Sequence, residues 1–281
     1  MTGRFRLATL FFFSVFYGGY AISVTSDGST TSPPSENAKE EASRFGLSSS
    51  LEYRSNLYGD GEFEKATHLG FDITSTYKIS KNFITSARAA ISKDLVGPGD
   101  VSLSNLRLRV SQSAYPVGLN FKMSPRISLY MPTNEVSRQD KRYFGGLAAG
   151  LLFVSEKPVI GLDIQYGLSL KKDFHEFETD NLNQELVEWG LTNGLTFGMP
   201  FGDRWRIEVS GSYQSVQTYR GTLKSLFILD ESLSYNINEK MSLVFGHTNE
   251  GNAFQYDGVT NNIGVYDEKT STLYMALNFS N

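Results

Sequence analysis

Histidines are the residues of this chain whose chemistry would first suggest catalysis. The 281 residues contain three of them, His68, His175 and His247, and no cysteine. Covalent hydrolysis needs a hydroxyl or thiol within hydrogen-bond reach of such a base. Two residues after His247 stands Asn249, which is not a nucleophile, and Thr248 belongs to the opposite parity. We therefore predict no catalytic residues, no metal site and no cofactor.

Charged side chains at alternating positions form a second set with chemical potential. Alternate residues of a strand share one face, and these charges share theirs with many Gly, Ser and Thr residues. With Lys171 and Asp94 added, this face holds nine cations and seven anions. Such a wall can bias the passage of ions, or its charges can pair and fill the interior; the sequence leaves both open. The candidate residues are Glu52, Arg54, Asp72, Lys78, Arg88, Arg107, Arg109, Lys122, Arg126, Asp163, Glu188, Arg206, Glu208 and Asp230.

The densest cationic group within this set lies on two consecutive predicted strands. Arg107 and Arg109 occupy one strand, and Lys122 and Arg126 occupy the next. A cationic group of this kind could favour anionic solutes such as carboxylates or sugar acids. Pairing with inward acids on other strands is the alternative interpretation.

Alternation of apolar and polar residues identifies the elements that must position these charges. Residues 187–197 are the clearest stretch, with Val, Trp, Leu, Leu and Phe on one parity and Glu, Gly, Thr, Gly and Thr on the other. A period of two predicts β-strands, so the expected fold class is all-β. The twelve predicted strands are 45–57, 67–79, 83–94, 103–113, 118–131, 144–154, 159–172, 186–199, 205–218, 224–237, 241–249 and 270–280.

The connections between the predicted strands alternate between short and long. Tight turns are predicted at 79–83, 114–118, 154–158, 201–205 and 237–241, and most other connections are longer and polar. An even strand number, with short turns on one rim and long loops on the other, is typical of outer-membrane proteins. The pattern predicts a transmembrane antiparallel up-and-down β-barrel of about 12 strands, with its short turns in the periplasm.

Three features indicate that the apolar face points outward, towards lipid. The polar face is rich in Gly, Ser and Thr rather than in long solvated side chains, and aromatic residues cluster near the short turns as in an interfacial girdle. The last predicted strand also resembles the C-terminal assembly signal of outer-membrane barrels, with Tyr274, Leu277 and Phe279, although Ser280 and Asn281 follow the final aromatic residue. This resemblance implies the outer-membrane assembly machinery as a partner.

The N-terminus reads as a segment for export. Arg4 and Arg6 precede an apolar run at 7–16, which predicts a secretory signal peptide over 1–21. Residues 22–43 are dominated by Ser, Thr, Pro and Glu and predict a flexible periplasmic lead-in, followed by the barrel at 44–281. A membrane anchor and a plug inside the barrel are the respective alternatives for the first two segments.

Two further resemblances bear on function. Residues 126–133 and 145–150 are similar to segments of transporter-like barrels of the MetA-pathway phenol-degradation group, which implies a passage for small molecules. Twelve-stranded outer-membrane phospholipases carry a histidine and a serine two residues apart, and Asn249 breaks that pattern here.

Together these features predict a porin-like channel in the bacterial outer membrane that passes small hydrophilic solutes passively through a mixed-charge lumen. Its other expected partners are outer-membrane lipid and lipopolysaccharide. Nucleic acid is not expected, because the formal net charge is −4 and nucleic-acid binding needs a basic surface. The alternative function is a structural or adhesive barrel with a closed lumen and functional extracellular loops.

Overall fold

The computed structural model describes residues 44–59, 64–96, 99, 101–255 and 258–281. The predicted signal peptide and lead-in lie outside these residues, so both stay predictions. Within the described part of the chain, no helix is long and apolar enough to cross a membrane.

The elements of the described residues are short strands and one short helix. The strands are β1 Phe45–Asn56, β2 Thr67–Lys78, β3 Phe83–Asp94, β4 Val101–Leu103, β5 Leu106–Gln112, β6 Tyr115–Gly118, β7 Phe121–Met131, β8 Tyr143–Ser155, β9 Asp163–His175, β10 Val187–Phe201, β11 Trp205–Thr218, β12 Leu223–Asn238, β13 Met241–Asn252 and β14 Ser271–Ser280, and the helix is α1 Glu135–Gln139.

The strands form one closed antiparallel sheet. Successive strands pair with each other, and β14 pairs with β1 to close the sheet. We call each strand position around the barrel a stave. Three of the segments, β4, β5 and β6, follow one another along a single stave: β4 and β5 pair with β3, while β5 and β6 pair with β7. The fourteen segments therefore make twelve staves, and the predicted antiparallel barrel of about 12 strands is confirmed.

The apolar side chains lie on the outside of this barrel. Phe71, Ile127 and Leu273 are 43%, 59% and 52% exposed, although each belongs to the apolar parity of its strand. Side chains of the other parity reach across an intervening strand, as Arg206 on β11 does to Asp163 on β9. Adjacent strands are about 4.8 Å apart, so contacts of this kind form on the concave face. The predicted outward orientation of the apolar face is confirmed.

Aromatic rings cluster on the rim that carries the short turns. Trp205 stacks on Phe201 at a ring-centroid distance of 6.1 Å and packs against Tyr235 at 4.7 Å. Amphipathic rings at this level are typical of the boundary between the apolar band and water. This trio therefore marks one edge of the lipid-facing surface.

One predicted turn, at 114–118, is wrong. Tyr115–Gly118 continues as β6, and the hairpin turns instead at Leu119 and Asn120, whose φ angles are +52° and +65°. Positive φ at both central residues is the backbone of a two-residue hairpin turn. Pro116 is tolerated because β6 pairs only with β7 among the described strands. Its missing N–H therefore leaves no carbonyl of a second neighbouring strand without a donor.

A second predicted turn, at 154–158, also lies farther along the chain. Val159 and Leu162 form an isolated antiparallel bridge, and the reversal occurs at Ile160 and Gly161 with φ of +56° and +80°. Strand β9 consequently starts at Asp163 and not at residue 159. Pro158 precedes the turn, and the pair with positive φ follows it.

The stave made of β4, β5 and β6 is interrupted twice, and hydroxyl groups replace missing backbone bonds at the interruptions. At the first, the Ser104 hydroxyl accepts a hydrogen bond from the Ala90 amide at 2.8 Å, and the Thr133 hydroxyl accepts one from Leu106 at 2.8 Å. At the second, the Ser124 hydroxyl donates to the Gln112 carbonyl at 2.6 Å. These bonds keep the stave attached to both neighbours.

The two faces of β11 give a direct test of orientation. Val209→Arg is expected to lower the free energy of unfolding by about 2–4 kcal/mol, because this side chain faces lipid well inside the apolar band. The adjacent Ser210 faces inward opposite Asp230, so Ser210→Arg is expected to cost far less, since the new cation lies beside an acid. Urea unfolding from lipid vesicles, followed by tryptophan fluorescence, measures both changes. Equal losses for the two variants would contradict the assignment of the faces.

Candidate functional site

The inner face of the barrel gathers the charged residues predicted from alternation. On β1, for example, Glu52 and Arg54 share the parity opposite to the exposed Leu51 and Tyr53. The same relation holds on the other staves for every predicted lumen-lining residue except Glu188. Charged side chains of both signs therefore share the inner face.

Part of this surface is a network of ion pairs. Arg88 contacts Asp72 at 2.5 Å. Arg206 contacts Asp163 at 2.6 Å and Glu208 at 3.5 Å. A buried cation without an acidic partner would be costly, so these pairs stabilise the charges that fill their side of the lumen.

Glycines on the inner face make room for these long connections. A Cβ atom at Gly198 would overlap the guanidinium of Arg206, which crosses β10 on its way to Asp163. In the same way, Tyr274 on β14 lies over Gly246 of β13 and donates a hydrogen bond to Asp230 on β12 at 3.1 Å. These glycines therefore act as crossing points for side chains that link alternate staves.

A different part of the inner face is cationic. We call the inward surface of β5, β7 and β8 the cationic wall; these strands contain no Asp or Glu. Arg109 donates to the Ser128 hydroxyl at 3.2 Å, and Lys122 contacts Glu156, beyond the end of β8, at 3.3 Å. The side chain of Arg107 forms no hydrogen bond or ion pair with any residue that the structure describes. The inward charges of these strands are thus all positive.

Arg126 completes the cationic wall. Its guanidinium extends across β8 to β9: the positions that Cβ atoms would take at Gly150 on β8 and Gly167 on β9 lie 3.4 Å from it. Arg107 and Arg109 on β5 therefore lie beside Lys122 and Arg126 on β7, and the guanidinium of Arg126 reaches over β8.

The long-loop end of the lumen holds a cluster that the sequence analysis missed. Tyr143 is 6% exposed, and its hydroxyl donates to Asp173 at 2.8 Å. Lys171 contacts the same carboxylate at 2.9 Å and lies 4.5 Å from the ring centroid of Tyr130. The ring of His175 packs against Tyr143 at 5.0 Å. The only available signal was the presence of aromatic residues on the inward parity near loop ends.

The loop after β7 is fixed beside this cluster. Helix α1 begins after Asn134, whose side chain accepts a hydrogen bond from the Ser137 amide at 2.9 Å, and Asn105 donates to the Ser137 hydroxyl at 3.0 Å. These bonds tie the loop to the neighbouring stave at the rim. Burial lowers the pKa of Lys141, which follows the helix.

The prediction for Glu188 needs a correction. A bulge between Val187 and Trp189 changes the side-chain parity at the start of β10. The Glu188 carboxylate contacts Lys172 at 3.2 Å, and the same ammonium lies 4.6 Å from the Trp189 ring on the outer side. Glu188 therefore belongs to the rim and not to the regular inner wall.

The histidine considered for catalysis faces outward. Its nearest acid is Glu231, at 4.0 Å from His247. Asn249 donates to the Gly264 carbonyl at 2.6 Å and so holds the following loop. Asn249, two residues after His247, is therefore a structural amide and not the nucleophile that hydrolysis would need.

These features define the class of protein: a twelve-stave barrel, apolar outside and charged inside. Solved structures with this fold include an outer membrane channel from Pseudomonas putida F1, with a TM-score of 0.59 and 9% identity over 89% of this chain and 100% of the other. The NanC porin matches with a TM-score of 0.54 and 9% identity over 83% of this chain and 98% of its own.

At this level of identity the likeness shows the fold of outer-membrane barrels and no more. No protein-family model and no curated protein matches the sequence. The resemblance to barrels of the MetA-pathway phenol-degradation group therefore stays a prediction.

The crossing points require glycine, and this requirement can be tested. Gly246→Ala is expected to destabilise the barrel by about 1–3 kcal/mol, because the new methyl group overlaps the Tyr274 ring. Gly194→Ala is the matched control, since its nearest contacts would be 3.8 Å and 3.9 Å away. Urea unfolding measures both variants. The loss at Gly246 should shrink when Tyr274→Ala is combined with it, and an unchanged loss in the double variant would contradict the crossing geometry.

Proposed function

We propose that the protein is a passive channel in the bacterial outer membrane for small hydrophilic solutes. The observation that carries the proposal is the combination of an apolar exterior with an interior that has a cationic wall. A closed sheet satisfies all of its backbone hydrogen bonds in lipid. An interior surface with exposed charges suits a water-filled passage and not a packed core. The matched solved structures are themselves described as an outer membrane channel and a porin.

The cationic wall supports a bias towards anions. On the far side of the lumen the acids are engaged, Glu208 by Arg206 and Asp230 by Tyr274 and Thr248. On the near side, Arg107 remains available to a passing solute. We therefore assign carboxylates and similar small anions as the favoured cargo.

Partners and export belong to the same proposal. Outer-membrane lipid and lipopolysaccharide would surround the apolar exterior, on which Leu277 and Phe279 of the C-terminal strand lie. Recognition of this strand by the assembly machinery, and export by the segment 1–21, complete the proposed route to the membrane. No enzymatic step is assigned. The competing function is a closed structural or adhesive barrel, and a conductance measurement distinguishes it from a channel.

Purified, refolded protein in planar bilayers is expected to give unitary conductance steps. An open path along the cationic wall requires them, whereas a closed structural or adhesive barrel would give none. A flat current record from protein whose heat-modifiable migration proves that it is folded would contradict the channel.

Reversal potentials in a salt gradient are expected to show anion preference, and Arg107→Gln is expected to weaken it. An anion about 8 Å from one guanidinium in water gains about 0.5 kcal/mol, which is roughly a two-fold change in its local concentration. Lys81→Gln is the matched control, since it removes the same charge from a turn outside the lumen. Cation selectivity in the wild type, or equal effects of the two substitutions, would contradict the role of the wall.

A further inference from the structure

An acid and a histidine lie side by side on the outer face of the barrel. Val209 on β11, Glu231 on β12, His247 on β13 and Leu273 on β14 form one row across the register. Val209 and Leu273 are 45% and 52% exposed and belong to the lipid-facing surface. Because register partners share a face, Glu231 and His247 face outward as well.

Glu231 lies well inside the apolar band. Tyr235, on the edge marked by the aromatic trio, follows Glu231 by four residues along β12. At about 3.3 Å per residue these span about 13 Å of strand. A tilt of about 40° converts this to about 10 Å of depth in a band about 25 Å tall. The carboxylate is therefore near the level of the bilayer centre.

The pair is only partly covered by its own chain. The side chain of Glu231 is 45% exposed, while that of His247 is 20% exposed, with 4.0 Å between carboxylate and imidazole. The ring of Tyr266, from the loop after β13, stacks on His247 at 6.2 Å and fixes it from one side. Lipid chains offer no hydrogen-bond partner to the remaining carboxylate surface, and ionisable groups at this depth face protein or water.

We propose that this face is covered by a second copy of the chain. Oligomers in a membrane keep one orientation, so two copies are related by an axis along the membrane normal. A surface that presents an acid beside an imidazole is complementary to itself under such a two-fold rotation, because Glu231 of each copy then meets His247 of the other. Charge complementarity of this kind selects the second copy over lipid.

The surroundings of the pair suit such an interface. Phe245, 47% exposed, joins Val209 and Leu273 as apolar side chains around the polar centre. Removing a half-exposed carboxylate from lipid and placing it beside an imidazole of the second copy stabilises the dimer relative to separate barrels. The proposal goes beyond the channel function and does not depend on conductance.

Cysteine cross-linking tests the contact without background, since the chain has no cysteine. Glu231→Cys and His247→Cys chains, carrying different tags, are co-expressed, and outer membranes are treated with a short bis-maleimide. The species that carries both tags is expected to exceed the control several-fold. The control pair is Val110→Cys with Ile127→Cys, register partners that are 45% and 59% exposed on the opposite side of the barrel. Equal yields for the two pairs would overturn the proposal.

Counting subunits in lipid provides the second measurement. Singly labelled wild-type protein in supported bilayers is expected to bleach mainly in two steps, and the Glu231→Leu/His247→Leu variant mainly in one. Heat-modifiable migration on gels shows that the variant is folded, and Val110→Ala/Ile127→Ala should keep two steps. Single-step bleaching of the wild type, or two-step bleaching of the leucine variant, would show that this pair does not hold a second copy.

Discussion

Closure of the backbone ladder between the first and last strands is the constraint on which the rest of the structure depends. Lipid cannot satisfy an open strand edge, and β1 meets β14 in continuous register from Ser48 opposite Ser280 to Asn56 opposite Thr272. Asn281 lengthens this junction: its side chain accepts a hydrogen bond from the Leu47 amide at 2.7 Å, and its own amide donates to the Leu47 carbonyl at 3.1 Å. The two residues beyond the final aromatic side chain therefore help to close the barrel.

Closure also decides how the interior is used. Inward side chains converge, so a long side chain on one stave can reach over a glycine to the next but one, as Arg206 does over Gly198. Where acids and cations occur together, this convergence produces a network of pairs. Where β5 and β7 supply only cations and β8 supplies no charge, it produces the cationic wall. One geometric condition thus yields a lumen with two chemically different sides.

The extent to which the sequence predicts this structure follows from the range of the interactions involved. Alternation depends on adjacent residues, so the staves, their apolar exterior and most inward charges could be read directly. The turn after β6 could not be predicted, because Pro116 is a stronger turn signal than the pair at Leu119 and Asn120. The prediction for Glu188 was wrong because a single bulge reverses the side-chain parity without changing the pattern of residue types. The cluster around Tyr143 and Asp173 joins residues thirty positions apart, and no local pattern encodes it.

The interrupted stave gives the barrel a mechanical property of its own. At Ser104 and Gln112 one bond of the backbone ladder is made by a hydroxyl group instead of a backbone group. A hydroxyl can rotate about its side-chain bond, while a backbone carbonyl is held by the strand. Local opening concentrates where fixed ladder bonds are fewest. The stave that carries Arg107 is therefore where we expect the described part of the wall to open most readily.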